Sequence, residues 1–442
     1  MKLPNMTRRD IIKASAGAAA LASVAPMAYA QTAPTLKVGL IGAGSRGTGA
    51  AADIARSSPG IEIVALADLY PEHLNRSRET LKKRVPDSYK VTDDSAFVGL
   101  DAYKKVVSSD VDIVLCAGYP NFRPQHVEAA VNAGKHVFAE KPIAVDPVGV
   151  RRFLKAGEVA KERGLGILAG TQRRHAPHYQ AAVKAVNEGA IGKVVSGSLF
   201  FCRPTGRTPK PRLEGDSNID WMLRNWWFFN WVGGGMISQL VIHQIDTMHW
   251  VMGGPCKSAY GIGGRYWEDP IYGNIYSNFS VCYEYPDGRQ FQAHTRQIPG
   301  TQKRVGGSFV GSEGTLSNSS AQSFIMDYNK KLVKMFKREG SAFVQEHAAF
   351  VKSIRAGQPL NESQNVADST LMSIMGQVSA WSGQTIEFDA MMNESPNKNH
   401  VSNLDLTPPS LTEGEIPPVP TPVAFKDIFG ITSFGVEKQA NS

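Results

Sequence analysis

The sequence predicts an α/β protein: an N-terminal doubly wound parallel sheet, then an α+β unit whose open sheet is mostly antiparallel. Three observations carry that expectation. From residue 35 to about 170, short β-branched runs alternate with helical stretches, the rhythm of parallel strands joined by crossover helices. Beyond Thr171 the pattern shifts to segments such as 277–285 and 290–296, whose apolar and polar residues alternate as in antiparallel strands with one buried face. After Asn393 the chain turns Pro- and Asn-rich, with Pro408-Pro409 and Pro417-Pro418, and reads as an extended, partly wrapped tail. The boundaries that follow are 1–30 for a leader, 31–170, 171–393 and 394–442.

In chain order, the first unit has strands at 37–41, 62–67, 112–117, 136–139 and 166–169, with helices at 48–57, 71–85, 123–133 and 147–163 between them. A helix at 178–188 ends at Gly189 and leads through Gly192 into a strand at 193–201. A loop rich in Pro and Gly occupies 203–215. An aromatic segment from Trp221 to Trp231 then precedes Gly233-Gly234-Gly235 and a helical run at 238–252. Helical sequence returns at 346–356 and 366–382, and no internal repeat stands out.

Without residues 1–30 the chain keeps 412 of its 442 residues, enough for two domains with large cores. The four cysteines, Cys116, Cys202, Cys256 and Cys282, show neither metal-ligand nor CxxC spacing and read as buried free thiols. No metal site is expected; His243 and His249 are six residues apart, off one helical face. The formal charge of +8 includes a net +3 from Lys2, Arg8, Arg9, Asp10 and Lys13, leaving +5 spread over the rest. That mild, scattered excess gives no reason to expect nucleic acid or a membrane surface as partner.

The first strand runs directly into Gly42-Ala-Gly44-Ser45-Arg46-Gly47, and Ala-rich helical sequence follows to Arg56. In a strand-turn-helix unit Gly42 permits the tight turn, Gly44 lets the backbone approach a pyrophosphate, and Gly47 lets helix and strand pack closely. Helix amides then face the phosphates, with Ser45 and Arg46 in the turn. A Gly-rich turn also joins strands to helices without a nucleotide, so context matters. Asp68 ends the second strand about 20 residues beyond the motif, where a carboxylate hydrogen-bonds the adenosine ribose; the alternative is a helix cap before Pro71. Together these predict a Rossmann domain that binds NAD, with NADP left open by Arg46 and Arg76.

Ahead of this motif stands Thr7-Arg8-Arg9-Asp10-Ile11-Ile12-Lys13, then an apolar stretch to Val24 and the small-residue site Ala28-Tyr29-Ala30. The apolar core is too short and too rich in Ala and Gly to predict a membrane span. The segment reads as a twin-arginine signal, which hands folded proteins to the twin-arginine export machinery. Periplasmic or otherwise exported protein is expected, with its cofactor carried inside.

The stretch Gly134-Lys-His-Val-Phe-Ala-Glu140-Lys141-Pro142 resembles the Gfo/Idh/MocA family, named for glucose-fructose oxidoreductase and inositol dehydrogenase, of which Glu-Lys-Pro is the hallmark. The similarity extends through Gly170-Thr-Gln-Arg-Arg-His175, Gly189-Ala-Ile-Gly192 and Gly311-Ser-Glu-Gly314. It implies sugar or cyclitol substrates, a C-terminal domain whose open sheet often joins subunits, and hence a homo-oligomer. It also implies that Glu140 and Lys141 lie beside the nicotinamide, with Lys141 reaching the reacting hydroxyl. A lysine at a strand end next to a cationic ring would lose proton affinity and could hydrogen-bond a developing alkoxide.

The run Gly233-Gly-Gly-Met-Ile-Ser-Gln239-Leu-Val-Ile-His243-Gln-Ile-Asp246 resembles the family's Asp-x-x-x-His helix, with Gln239 where many members carry Asp. The resemblance makes His243 the general base and Gln239 the residue that orients its ring; a lone helical His is otherwise more often a core group. In an α-helix, Gln239, His243, Asp246 and Trp250 would share a face, which places Asp246 near the cleft or in a structural hydrogen bond. Arg174, His175 and Tyr179, just past the domain crossover, are expected to reach substrate, with Arg224, Trp226 and Trp227 from the aromatic segment. Buried core remains the alternative for those rings. The expected activity is hydride transfer from a sugar or cyclitol hydroxyl to tightly bound nicotinamide. Two others stay open: a glycosidase or lyase using transient oxidation and elimination, and a non-catalytic sugar-binding protein.

Overall fold

Strand β1 (Leu36–Ile41) lies inside a six-stranded parallel sheet of order β3-β2-β1-β4-β5-β6, with β2 (Ile61–Asp68), β3 (Ala96–Val98), β4 (Ile113–Cys116), β5 (His136–Ala139) and β6 (Ile167–Ala169). The computed structural model describes residues 34–204, 207–408 and 414–435; the leader with Arg8 and Arg9 lies outside them. Helices α1 (Ser45–Ser57), α2 (Pro71–Arg84), α3 (Ala102–Val107), α4 (Arg123–Asn132) and α5 (Pro147–Glu162) make the crossovers. The sequence pattern misses β3 and α3, since three and six residues are too short to display a period. The strand order reverses between β1 and β4, and such a switch point opens a crevice at the carboxyl ends of the strands.

A nine-stranded sheet follows, of order β14-β13-β12-β11-β7-β10-β9-β8-β15. It comprises β7 (Val194–Cys202), β8 (Ser258–Gly264), β9 (Asn278–Glu284), β10 (Gln290–Arg296), β11 (Arg304–Gly311), β12 (Gly314–Asn318), β13 (Gln322–Asp327), β14 (Leu332–Lys337) and β15 (Ile386–Glu387). Its pairs are antiparallel except β7 with β10. The expectation of a mostly antiparallel sheet holds, with the β7–β10 pair the parallel exception.

Between the sheets run α6 (Pro177–Asn187), α7 (Asn218–Arg224), the single turn α8 (Asn230–Gly233) and α9 (Ile242–Met252). Two later helices unite the halves. Helix α10 (Ala342–Arg355) sends Phe350 and Val351 into the core beneath the parallel sheet, and its His347 lies against Phe138 of β5, ring centroids 4.2 Å apart. Helix α11 (Ser363–Ser382) is buried along nearly its whole length against the second sheet. A Cβ on Gly261 of β8 would come within 2.5 Å of the Gly376 carbonyl, so glycine sets how closely helix and sheet approach.

In the described part of the tail the chain is not wholly extended: two short helices, α12 (Phe388–Met392) and α13 (Phe425–Phe429), flank and interrupt it. Leu406 donates its amide to Asp146 at 2.9 Å, Tyr276 donates its hydroxyl to the Pro420 carbonyl at 2.6 Å, and Phe429 stacks on Trp381. Asp146 also caps α5 through the Gly149 amide, and burial pushes its carboxyl up to about 6. All four cysteines are free thiols.

Candidate active site

The turn after β1 carries the first requirement of a phosphate site. Gly42 has φ +91°, and a Cβ there would stand 2.3 Å from the Gly118 amide nitrogen. A Cβ on Gly47 would stand 1.9 Å from the Gly42 carbonyl oxygen. Gly44 differs: its Cβ would meet no protein atom within 4 Å. Packing demands the outer two glycines, whereas the space before Gly44 is open to a ligand. Gly44 is also the N-cap of α1, with no side-chain cap and no acidic residue in the first turn, so the first-turn amides are left for an anion.

These residues line a cavity of about 1150 Å³ running along the carboxyl ends of the parallel strands to the segment before α9. Asp68 lines it at the end of β2; its Oδ1 accepts from the Tyr70 amide at 3.0 Å and lies 3.3 Å from His73 Nδ1. The carboxylate thus makes the local turn contact that the sequence offered as an alternative, while still facing the cavity. Open glycine, uncapped helix and carboxylate together fit a dinucleotide.

Arg46 does not remain available for a 2′-phosphate. It forms a close ion pair with Glu140, lies 3.3 Å from Asp53 and 3.6 Å from Glu346, and covers the Phe343 ring at 4.6 Å. Gly170 makes room for Glu140, since a Cβ there would approach its carboxylate to 2.7 Å. Glu346 is held well above the usual carboxylate range, by burial first and by Glu140 next. The cluster positions Glu140 at the root of Lys141.

Lys141 leaves the end of β5 through a cis peptide to Pro142 and donates from Nζ to the backbone carbonyl of Gln239 at 2.7 Å. Burial lowers its pKa to about 8, Arg123 and Arg46 assisting against the pull of Glu140. His243 lines the same cavity and is pressed well below the usual imidazole range, by burial first and then by Lys141 and Arg173. The pair can therefore offer a cationic donor and a neutral acceptor near neutral pH.

The helix that carries His243 is not continuous. Ile237–Val241 forms a π turn, and α9 begins only at Ile242. That turn breaks the expected i, i+4 relation of Gln239 to His243. The Gln239 side chain donates instead to the Gly233 carbonyl, and it is the residue's own carbonyl that receives Lys141. The expectation that Gln239 orients the imidazole is corrected accordingly: Gln239 positions the lysine.

Beyond His243 the helical register holds, but it turns Asp246 and Trp250 towards Arg174. Arg174 Nε donates to Asp246 at 2.9 Å, and its guanidinium sits 5.5 Å from the Trp250 ring centroid. The string continues through His249 to Asp368, 3.1 Å at each step. His175 lies 3.2 Å from Glu362, and Tyr179 is buried beneath Arg173. Arg174, His175, Tyr179 and Asp246 are absent from the cavity lining, so their expected substrate contact is corrected to the structural alternative: the buried charges satisfy one another and tie α9 to α11.

Arg224, Trp226 and Trp227 do line the cavity. Trp221, Phe229 and Trp231 of the same aromatic run are core. Arg224 is engaged by Glu72 at 2.7 Å, by Asp216 at 3.6 Å and by the Tyr70 ring at 4.1 Å. Sequence reasoning misses Arg123, whose guanidinium donates to the carbonyls of Pro142 and Gly118, bracing the lysine's loop. Its signal was a cation at the start of a helix, where the dipole disfavours one. It also misses Arg207, which no motif marks. Among the described residues, no group of His, Cys, Asp or Glu is arranged to hold a metal.

Two family models match this chain: the oxidoreductase family with NAD-binding Rossmann fold over residues 36–169, and the GFO/IDH/MocA C-terminal domain over 179–317. The chain belongs to the Gfo/Idh/MocA family. As in other members, the Rossmann half is the NAD-binding domain of an oxidoreductase. The chain is similar to myo-inositol 2-dehydrogenase of Thermotoga maritima, 23% identical over 336 residues, covering 73% of this chain and 90% of the relative. It is 29% identical to inositol 2-dehydrogenase of Paracoccus denitrificans over 219 residues, a match spanning 49% of this chain and 54%, about half, of that enzyme. Among solved structures, scyllo-inositol dehydrogenase of Lactobacillus casei with bound NAD(H) and scyllo-inositol shares the fold, at TM-score 0.60 and 20% identity, over 80% of this chain and 99% of that one.

Proposed function

We propose that this protein oxidises a ring hydroxyl of a sugar or cyclitol, with NAD held along the glycine turn and the hydroxyl between Lys141 and His243. One observation carries the reading: Lys141 and His243 line the same cavity as Gly44 and Asp68, and Lys141 is anchored at 2.7 Å to the segment that carries His243. NAD, when bound, supplies the hydride acceptor. Gly44, Ser45 and the first-turn amides of α1 hold its phosphates, and Asp68 takes the adenosine ribose.

The chain's own work is on the proton. Kept neutral by burial, His243 accepts the hydroxyl proton as the carbon–hydrogen bond breaks. The ammonium of Lys141, fixed by the Gln239 carbonyl, donates a hydrogen bond to the same oxygen and stabilises negative charge there. Both side chains are half-buried, which limits water at the reacting carbon. The inositol dehydrogenases among the similar proteins support a polyhydroxylated ring as substrate.

Protein lacking residues 1–30 should co-purify with NAD(H), read by mass spectrometry after denaturation. With a panel of sugars and cyclitols it should show reduced nicotinamide and release a keto or lactone product. Cofactor-free protein with no affinity for NAD would overturn the reading. So would a product of unchanged oxidation state carrying solvent deuterium, the mark of oxidation-assisted elimination.

The leader supports export by the twin-arginine route: N-terminal sequencing of secreted protein should start after Ala30, and uncleaved cytoplasmic protein would count against it. The exposed Tyr260 and Ile262 of β8, with Leu332, Val333 and Met335 of β14, support a homo-oligomer through the open sheet. Light scattering should give a multiple of the chain mass.

A further inference from the structure

The two ends of the cavity treat charge differently. Its carboxylates, Asp68, Asp101 and Glu140, all come from the parallel-sheet half, and Glu140 is spent on Arg46. The wall facing them, from the loop after β7 to α7, contributes three cations, Arg207, Lys210 and Arg224, and no carboxylate. Of these, Arg224 is already paired with Glu72 and Asp216.

Arg207 is not. Its guanidinium lies 4.9 Å from the Trp226 ring centroid and 4.8 Å from that of Trp227, two rings set edge to face at 5.5 Å. Among the described residues no carboxylate or carbonyl engages it. Burial first, and then the neighbouring cation Arg203, lowers its proton affinity. A guanidinium held in place by two indoles, with its donor edges unspent and a like charge behind it, is preorganised for an anion.

Its position links it to the reacting centre. Trp226 packs against Gly233, where a Cβ would come within 2.6 Å of the Trp226 carbonyl. The Gly233 carbonyl holds the Gln239 side chain, and the Gln239 carbonyl holds Lys141. Arg207 and the lysine thus belong to one contiguous wall. The same stack covers indole surface that would otherwise lie against a sugar ring.

We propose that Arg207 is the anion-recognising residue of the substrate site and that the hydroxylated substrate carries a carboxylate, as a hexuronate does. The inference rests on the oxidoreductase reading for the identity of the pocket, but its own test is binding. Two-point pairing suits carboxylate and phosphate oxygens alike; the single charge of a carboxylate matches the one guanidinium of this wall that stays unpaired among the described residues, and a phosphate is carried as an arm of the test.

NAD-loaded full-length protein, or the same protein without residues 1–30, is titrated with glucose, glucuronate and glucose 6-phosphate while its tryptophan fluorescence is followed. NADH formation is measured in parallel. Wild type should bind glucuronate about 10- to 100-fold more tightly than glucose, the scale of a charge-assisted hydrogen bond. Arg207→Gln should remove that preference with NAD content retained, and Arg207→Lys should restore part of it. Equal binding of glucose and glucuronate, binding of neither, or an equal loss for both ligands in Arg207→Gln overturns the proposal and leaves the oxidoreductase reading standing. Preference for the phosphate overturns the choice of carboxylate. Arg207-dependent binding of glucuronate without NADH formation supports the anion site and instead counts against oxidation.

Discussion

Arg46 and Arg207 line one cavity, yet carboxylates neutralise the first and, among the described residues, none reaches the second. Arg46 stands among Glu140, Asp53 and Glu346, while Arg207, among the described residues, is held by the faces of Trp226 and Trp227 and by no carboxylate. A charge wrapped by carboxylates serves the architecture; a charge wrapped by aromatic rings keeps its hydrogen-bond donors for something else. Around Arg46 the cofactor wall is in this sense closed, those charges being spent on positioning Glu140 and Lys141. The substrate wall is electrostatically unfinished.

That contrast predicts separable failures. The largest effect belongs to the reacting groups, where the walls meet: Lys141→Ala and His243→Ala should each lower turnover by about 100-fold or more while bound NAD is retained. Near-normal turnover in His243→Ala, measured on the true substrate, would dissolve the assignment of a proton acceptor.

Next comes the glycine turn, where the structure distinguishes packing from ligand space. Gly47→Ala should destabilise the fold by roughly 2 kcal/mol or more, because its Cβ meets a backbone oxygen that cannot move aside. Gly44→Ala should leave the melting temperature of the cofactor-free protein nearly unchanged and yet weaken NAD binding by about 10-fold or more. Normal NAD affinity in Gly44→Ala would mean that the phosphates lie elsewhere. Asp68→Ala should weaken NAD by about 10-fold, the worth of a hydrogen bond to a charged group, and leave turnover at saturating NAD close to normal.

The smallest effect is a pH shift. With Lys141 acting as the ammonium, activity should fall as pH rises past about 8, and that limb should disappear in Lys141→Met. A limb that survives the substitution belongs to another group. Because the lysine's folded pKa is depressed, the unfolded chain holds its proton over the window from about 8 to 10.5, so this group's contribution to stability rises with pH there. The imidazoles act at the other end. His126, lowered to about 3 by burial and Arg123, together with His243 and His347, is protonated only in the unfolded chain just below the ordinary imidazole pKa of 6.5. Each should therefore cost about 1.4 kcal/mol per pH unit as pH falls through that window. Urea unfolding of His347→Phe against wild type would show a shallower acid slope.

The cofactor wall was legible because its constraints are local. Gly42, Gly44 and Gly47 sit in one turn, and Asp68 closes the next strand, so spacing alone brings them to one crevice. Glu140-Lys141-Pro142 was legible through the family pattern. The substrate wall was read less well. Helical arithmetic placed Gln239 and Asp246 beside His243, but a π turn re-aimed the first and a buried arginine captured the second.

By itself the sequence determined the doubly wound sheet, the glycine turn and the second sheet's mostly antiparallel character. These follow from periods of two and 3.6 residues and from short-range backbone geometry, which a chain carries wherever it folds. Only the tertiary structure decided which charges are spent and which are free. Arg46 meets Glu140 across 94 positions of sequence, and Arg174 meets Asp246 across 72. Charge pairing is settled by which side chains the packed helices bring within a few ångströms, and no spacing along the chain records that distance.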